Sequence, residues 1–129
     1  MTIAATILIA ASMLTGRPGT VVSTDMTVCP ATAYGCADIR GNVIHMRPDL
    51  VQYLNLVVEG RPASGYMTAL AAFVFGHEAR HVRGTYSERV ADAWAKSHAV
   101  TIVRLLGGER LWAVSLRPLV ALWDRRMSV

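Results

Sequence analysis

The sequence predicts an α+β protein in which helices predominate and a small β-hairpin or sheet precedes the longest helices. Two observations lead to this class. Apolar residues recur at helical spacing through most of the chain, and Val- and Thr-rich extended segments are confined to residues 20–46. A length of 129 residues with 53% hydrophobic and 17% charged residues favours one folded domain, residues 1–129, over a disordered chain.

The first sixteen residues form an uncharged, mostly apolar segment that ends at Gly16. The segment is too short to span a bilayer as a helix. Two interpretations stay open, the apolar core of an export signal or a helix packed on the domain. The compartment stays open with them, since export, association with a particle and a cytoplasmic location all agree with this segment, and membrane contact is equally undecided.

Extended structure is predicted between the first helix and Pro48. Residues 20–28 are rich in Val and Thr and favour a strand. A hairpin is predicted from residues 37–39 and 43–46, because Gly41-Asn42 supplies the turn residues between them.

Helices are predicted for the rest of the chain from apolar periodicity, helix-starting residues and glycine stops. Their expected positions are a helix from Pro48 to Gly60, a second from about Ser64 to Val82, a third from Thr85–Ser87 to about Leu106, and a fourth helical stretch from Glu109 that Pro118 kinks or restarts.

The two cysteines, Cys29 and Cys36, have six residues between them. Their spacing is compatible with a local disulfide, with a two-cysteine zinc site that His45 would complete, or with two unrelated thiols.

The net charge of +4 comes from scattered basic residues without a long run. A nucleic-acid partner is not expected, because such proteins cluster basic charge on one face or helix. A solvated basic surface is favoured over an acidic partner. The high apolar content predicts either helices that are buried on more than one side or a surface that meets a protein partner.

The stretch His77-Glu78-Ala79-Arg80-His81 carries the chemistry of the chain. Two histidines four residues apart on a helix place both imidazoles on one face, where they can chelate one Zn²⁺. Glu78 then projects beside the metal and can take a proton from a zinc-bound water. The alternative is a pair of surface histidines with a solvated glutamate.

A catalytic zinc needs a third protein ligand, and Glu88 is the candidate. A chain reversal at Gly84 would bring the first turn of the next helix, with Glu88, to the metal. Asp92, one turn further along, could accept the outer N–H of His77 or His81 and fix its tautomer.

Other roles for these two acidic residues stay open. Thr85-Tyr86-Ser87-Glu88 also fits a capping box in which Glu88 bonds the backbone. Asp92 could pair with Lys96 on the surface, or Asp92 could ligate the metal while Glu88 caps the helix.

Gly76-His77-Glu78-Ala79-Arg80-His81, followed by Glu88-Arg89-Val90-Ala91-Asp92, resembles the gluzincin-type metallopeptidases. The resemblance implies that His77, His81 and Glu88 bind zinc, that Glu78 is the general base and that Asp92 supports a ligand from outside. It also implies that the hairpin ending at residues 43–46 borders a substrate cleft.

Tyr86 and His45 are further candidates, as donors that would stabilise an oxyanion. Tyr86 fits equally well as a packing residue, and His45 as an ordinary sheet residue. His98 is assigned no role. The three tryptophans, Trp94, Trp112 and Trp123, are expected in the core.

Two functions follow from these predictions. The first is a zinc-dependent peptide-bond hydrolase that acts on a peptide or protein. The second is a non-catalytic zinc-binding module in an assembly, for example a virus particle. The presence of Glu78 favours the hydrolase, since a structural zinc needs no general base, whereas the small size of the chain favours the module.

Overall fold

A computed structural model describes residues 1–61 and 64–108. Helices predominate within these residues and accompany one three-stranded sheet, which confirms the predicted α+β class. The elements are α1 (Ala5–Thr15), β1 (Val21–Ser23), β2 (Gly35–Asp38), β3 (Val43–Met46), α2 (Pro48–Val58), α3 (Gly65–Arg83) and α4 (Glu88–Leu105). The helical stretch predicted from Glu109, together with Trp112 and Trp123, lies outside the described residues.

The sheet has the order β1-β3-β2, with β1 parallel and β2 antiparallel to the central strand β3. The predicted hairpin is confirmed, and Asn42 adopts the positive φ of 58° that its turn requires. The strand predicted over residues 20–28 is too long. It ends at Ser23, because the Asp25 carboxylate accepts hydrogen bonds from the backbone N–H and the hydroxyl of Thr27 and so forms a turn.

Helix α3 runs through the centre of the fold. Almost every side chain from Thr68 to Val82 is buried, because α1, α2, α4 and the sheet all pack against this helix. Its first turn is capped by Ser64, whose hydroxyl accepts a hydrogen bond from the backbone N–H of Met67. A helix surrounded in this way is apolar on all sides, so polar side chains buried along it call for a specific explanation.

Helix α1 is a packed helix. Ile7, Ala10 and Ala11 are buried against the fold, and the side chain of Asn55 in α2 anchors the residues before the helix with two hydrogen bonds to the backbone of Thr2 and Ala4. Its outer face remains apolar, with Ile9 62% exposed. No helix in the described ranges is both long and apolar enough to cross a membrane.

Helices α3 and α4 form an antiparallel pair that reverses at Gly84, as predicted. Gly84 has a φ of 123°, a conformation that side-chain-bearing residues rarely adopt. The helices approach closely at Gly76, where an added Cβ would lie 2.6 Å from Cδ1 of Ile102. Ser87 caps α4 by accepting a hydrogen bond from the N–H of Val90. This pairing brings the first turn of α4 beside the last turns of α3.

Candidate metal centre

The two histidines of the motif lie on the last turns of α3 and are both buried. Their Nε2 atoms face each other at 3.0 Å. The helical spacing alone produces this convergence, because residues four apart stack on one face. The rest of the cluster depends on how α4 returns to α3.

Glu88 lies at the first position of α4, and its carboxylate closes the cluster. Its oxygens are 3.0 Å from Nε2 of His77 and 2.9 Å from Nε2 of His81. The N-cap of α4 is Ser87 and not Thr85, so Glu88 does not occupy the third helical position that a capping box requires. The reversal at Gly84 therefore places this carboxylate at the two imidazoles.

The outer nitrogens of both imidazoles face oxygen acceptors. Nδ1 of His81 donates to the carbonyl of Thr85 at 2.6 Å, and a carbonyl can only accept. Nδ1 of His77 lies 2.6 Å from a carboxylate oxygen of Asp92. Asp92 is buried and does not lie on the surface. In the neutral rings both protons are thus on Nδ1, and each Nε2 presents a lone pair.

Lone pairs from two Nε2 atoms and one carboxylate therefore converge within about 3 Å of one another. Such an arrangement is repulsive without a cation at its centre. Ligands about 2.0–2.1 Å from a tetrahedral zinc lie roughly 3.3 Å apart, so these separations fit one shared ion after a slight expansion. The buried group His77, Glu78 and His81 can hold a metal ion.

Protonation of the imidazoles is the alternative way to relieve the repulsion between these lone pairs. Burial opposes it and lowers the pKa of His77 below its ordinary value, against the opposing attraction of the Asp92 carboxylate. A neutral imidazole is the form that binds a metal. Burial therefore favours the metal-binding form of His77.

Glu78 is buried beside the two histidines. Burial, with the nearby charges of Glu88 and Asp92, raises the pKa of Glu78 to about 8. At this pKa the carboxyl of Glu78 is mostly protonated at pH 7 in the metal-free protein, whereas a cation held by the two histidines would favour the carboxylate that a proton acceptor needs.

The cluster opens onto a cleft of about 600 Å³ with two walls. The helical wall carries the ionisable groups of α3, α4 and their connection. The loop wall comes from β2 and the segments flanking it and carries no charged side chain. The lining residues are His77, Glu78, His81, Tyr86 and Glu88 on the helical wall and Pro30, Thr32, Ala33, Tyr34, Gly35, Cys36, Ala37 and Ile39 on the loop wall.

Tyr86 and His45, the two predicted oxyanion donors, have different positions. Tyr86 lines the cleft next to Glu88 and is 79% exposed, so it is not the packing residue considered as an alternative. His45 does not line the cleft. It alternates along β3 with the fully buried Ile44 and Met46, so its side chain lies on the other face of the sheet.

The resemblance implied that the hairpin borders the cleft, and Ala37 and Ile39 of its predicted first strand line it. The loop from Cys29 to Cys36 is the part of the site that the sequence did not indicate. Cys29 and Cys36 are joined by a disulfide, with Cα atoms 5.7 Å apart, which selects one of the three readings of their spacing. Their proximity in sequence was the only available signal, and it did not connect them to residues 77–92.

Comparisons with protein-family models, with curated proteins and with solved structures find no match for this chain. The functional argument therefore depends on the geometry of the site.

Proposed function

We propose that the chain is a zinc-dependent peptide-bond hydrolase of the gluzincin type, with His77, His81 and Glu88 as the metal ligands. The observation that carries the proposal is the convergence of three lone-pair donors, within about 3 Å of one another, on an open cleft. Two imidazoles and one carboxylate, with a fourth position free, form the donor set of a catalytic zinc.

A bound zinc would supply a Lewis acid that polarises the scissile carbonyl and acidifies a water molecule. The protein supplies the proton transfers. Glu78 takes the proton of the attacking water and later delivers it to the leaving amine. Its pKa of about 8 in the metal-free protein suits the delivery, and the charge of a bound cation would favour the ionised form that the first step needs. Asp92 and the Thr85 carbonyl hold the imidazole rings in the metal-binding tautomer.

We assign Tyr86 a role in contacting the substrate and no role in binding the metal. It lies at the edge of the cleft beside Glu88 with its side chain largely exposed. A phenolic hydroxyl in this position can donate a hydrogen bond to the developing oxyanion once a peptide is bound.

The experiment that tests the hydrolase separates proton transfer from metal binding. Glu78→Gln preserves the shape of the side chain and leaves all three ligands in place, so the zinc content should remain one ion per chain. Peptide hydrolysis should fall by about 10²–10⁴-fold, as expected for the loss of a general base. Glu59→Gln is the matched control, because Glu59 is half exposed at the end of α2, away from the cleft.

A non-catalytic assembly module is the second candidate, and the exposed apolar face of α1 favours it. A contiguous apolar surface is typical of a protein–protein interface. This candidate would replace the hydrolase if Glu78→Gln and the wild type hydrolysed a peptide library at the same rate while binding zinc equally well.

A further inference from the structure

The Cys29–Cys36 disulfide closes a loop that forms much of the loop wall. Of the six residues between the two cysteines, all but Ala31 line the cleft. Within this loop Tyr34 contributes the largest side chain, and its ring lies 5.0 Å from the guanidinium of Arg47. The crosslink between two half-buried cysteines thus joins the two ends of a segment that lines the cleft.

Few other interactions hold the first part of this loop, residues 29–33. None of these residues is buried, whereas Tyr34 and Ala37 pack against the core. The backbone of the loop is held by the Cys29 N–H, which donates to the Met26 carbonyl, by a turn from Pro30 to Ala33 and by the Tyr34 carbonyl, which accepts a hydrogen bond from Arg47. From Gly35 onward the segment pairs with β3. A segment with little buried surface and few hydrogen bonds opens at low free-energy cost, and a crosslink limits that opening by restricting the chain.

The loop wall also lies directly against the proposed general base. A Cβ added at Gly35 would lie 3.4 Å from Cγ of Glu78 and 3.1 Å from Cγ1 of Val74. Within residues 1–61 and 64–108, β2 is an edge strand of the sheet and pairs with β3 alone. Displacement of this strand would therefore alter the substrate side of the site, whereas the metal ligands are held by the packing of α3 against α4.

We propose that the Cys29–Cys36 disulfide sets the affinity of the cleft for its peptide ligand and makes that affinity redox-sensitive, while the metal centre is indifferent to it. This proposal rests on the hydrolase function for the nature of the ligand. Reduction by a dithiol transfers two electrons and two protons to the disulfide, gives two thiols and leaves the dithiol as its own disulfide. The loop wall then loses its crosslink.

The test compares two probes that bind a catalytic zinc, acetohydroxamate and a tripeptide hydroxamate, on the zinc-loaded full-length chain. Of the two probes, only the tripeptide is long enough to reach from the metal ligands to the loop wall. In the Cys29→Ser/Cys36→Ser variant we expect its Kd to rise at least about tenfold, because binding must then order several loop residues. The Kd of acetohydroxamate and the zinc content should change less than about twofold. Phosphine-reduced wild type should behave as the variant does, and a phosphine avoids the zinc-binding thiolates of a dithiol.

Hydrogen exchange of the metal-free protein provides a readout that needs neither zinc nor catalysis. Amides of residues 33–38 should exchange faster in the variant, and amides of residues 77–92 should not. If the serine variant does not fold, Tyr34→Ala with the disulfide intact replaces it. That variant should weaken the tripeptide probe by several-fold and leave acetohydroxamate unchanged.

Two results would overturn the proposal. One is an unchanged Kd for the tripeptide hydroxamate together with unchanged exchange in residues 33–38. The other is a parallel loss of zinc and of both probes, which would make the disulfide a support of the metal centre. If zinc-loaded wild type binds neither probe, the hydrolase proposal fails, and exchange in residues 33–38 decides whether the disulfide holds the wall.

Discussion

The helical wall of the cleft and the loop wall are held in place by different means. Two long packed helices fix the helical wall, and its ionisable groups contact one another at 2.6–3.0 Å. The loop wall is uncharged, without buried residues between positions 29 and 37, and crosslinked by one disulfide. In the proposed function the helical wall would carry the chemistry, and the loop wall would contact the ligand. Changes on the two walls should therefore have separable effects.

Loss of an imidazole from the helical wall should have the largest effect. Four-ligand zinc sites bind with roughly 12 kcal/mol, so each ligand contributes about 3 kcal/mol. His77→Ala or His81→Ala should weaken zinc at least about a hundredfold in a competition titration. His98→Ala on α4 is the control, because His98 stacks on Trp94 away from the cluster. Equal zinc affinity in all three variants would place the metal elsewhere.

Glu88→Ala tests the third ligand. We expect a loss of zinc affinity of at least about tenfold, because the carboxylate contacts both imidazoles. Ser87→Ala removes the neighbouring helix cap and should cost about 1 kcal/mol of stability with zinc affinity intact. If Glu88→Ala behaved like Ser87→Ala in both measurements, Asp92 would become the candidate third ligand.

Asp92→Asn should weaken zinc by about tenfold, less than loss of a ligand, since Asp92 acts by orienting His77. The variant keeps the size of the side chain and removes its charge. Calorimetric zinc titration measures the change, and a loss as large as that of His77→Ala would show that Asp92 itself ligates the metal.

Glu78 should make the stability of the metal-free protein depend on pH. Its pKa rises from an ordinary value of 4.5 to about 8 on folding, so between these values the folded chain holds a proton that the unfolded chain has lost. Glu78 therefore contributes least to the free energy of unfolding at high pH. This contribution falls by on the order of a few kcal/mol as pH rises from 4.5 to 8.

Urea denaturation of wild type and Glu78→Gln across this pH range isolates the effect of Glu78. The substituted side chain in Glu78→Gln cannot ionise. The unfolding free energy of the variant should therefore increase relative to that of the wild type as pH rises. A difference that stays constant between pH 5 and pH 8 would mean that Glu78 titrates normally in the folded protein.

The sequence predicted the helical wall well because local rules determine it. A four-residue histidine spacing, a glycine stop at Gly84 and a serine cap at Ser87 act within one or two helical turns. The proximity of Glu88 to the histidines followed from the same reversal. Burial of Asp92 was not predicted, since it depends on the close approach of α4 to Gly76, which the pattern of α4 alone does not show.

The loop wall and the sheet were harder to predict because they depend on contacts between distant parts of the chain. Gly35 meets Val74 and Glu78 about forty residues away. A contact between residues so far apart in the chain produces no periodic pattern in the sequence. The strand predicted over residues 20–28 was too long, because the turn formed by Asp25 outweighs the β-propensity of the segment. His45 was considered as an oxyanion donor, although its strand turns the side chain to the other face of the sheet.

Zinc stoichiometry tests the central claim most directly. Protein purified without chelator, or reconstituted with excess zinc and then desalted, should contain one zinc per chain by elemental analysis, and His77→Ala/His81→Ala prepared in parallel should contain none. Folded wild-type protein that retains no zinc after reconstitution would contradict the metal centre and, with it, the proposed hydrolase.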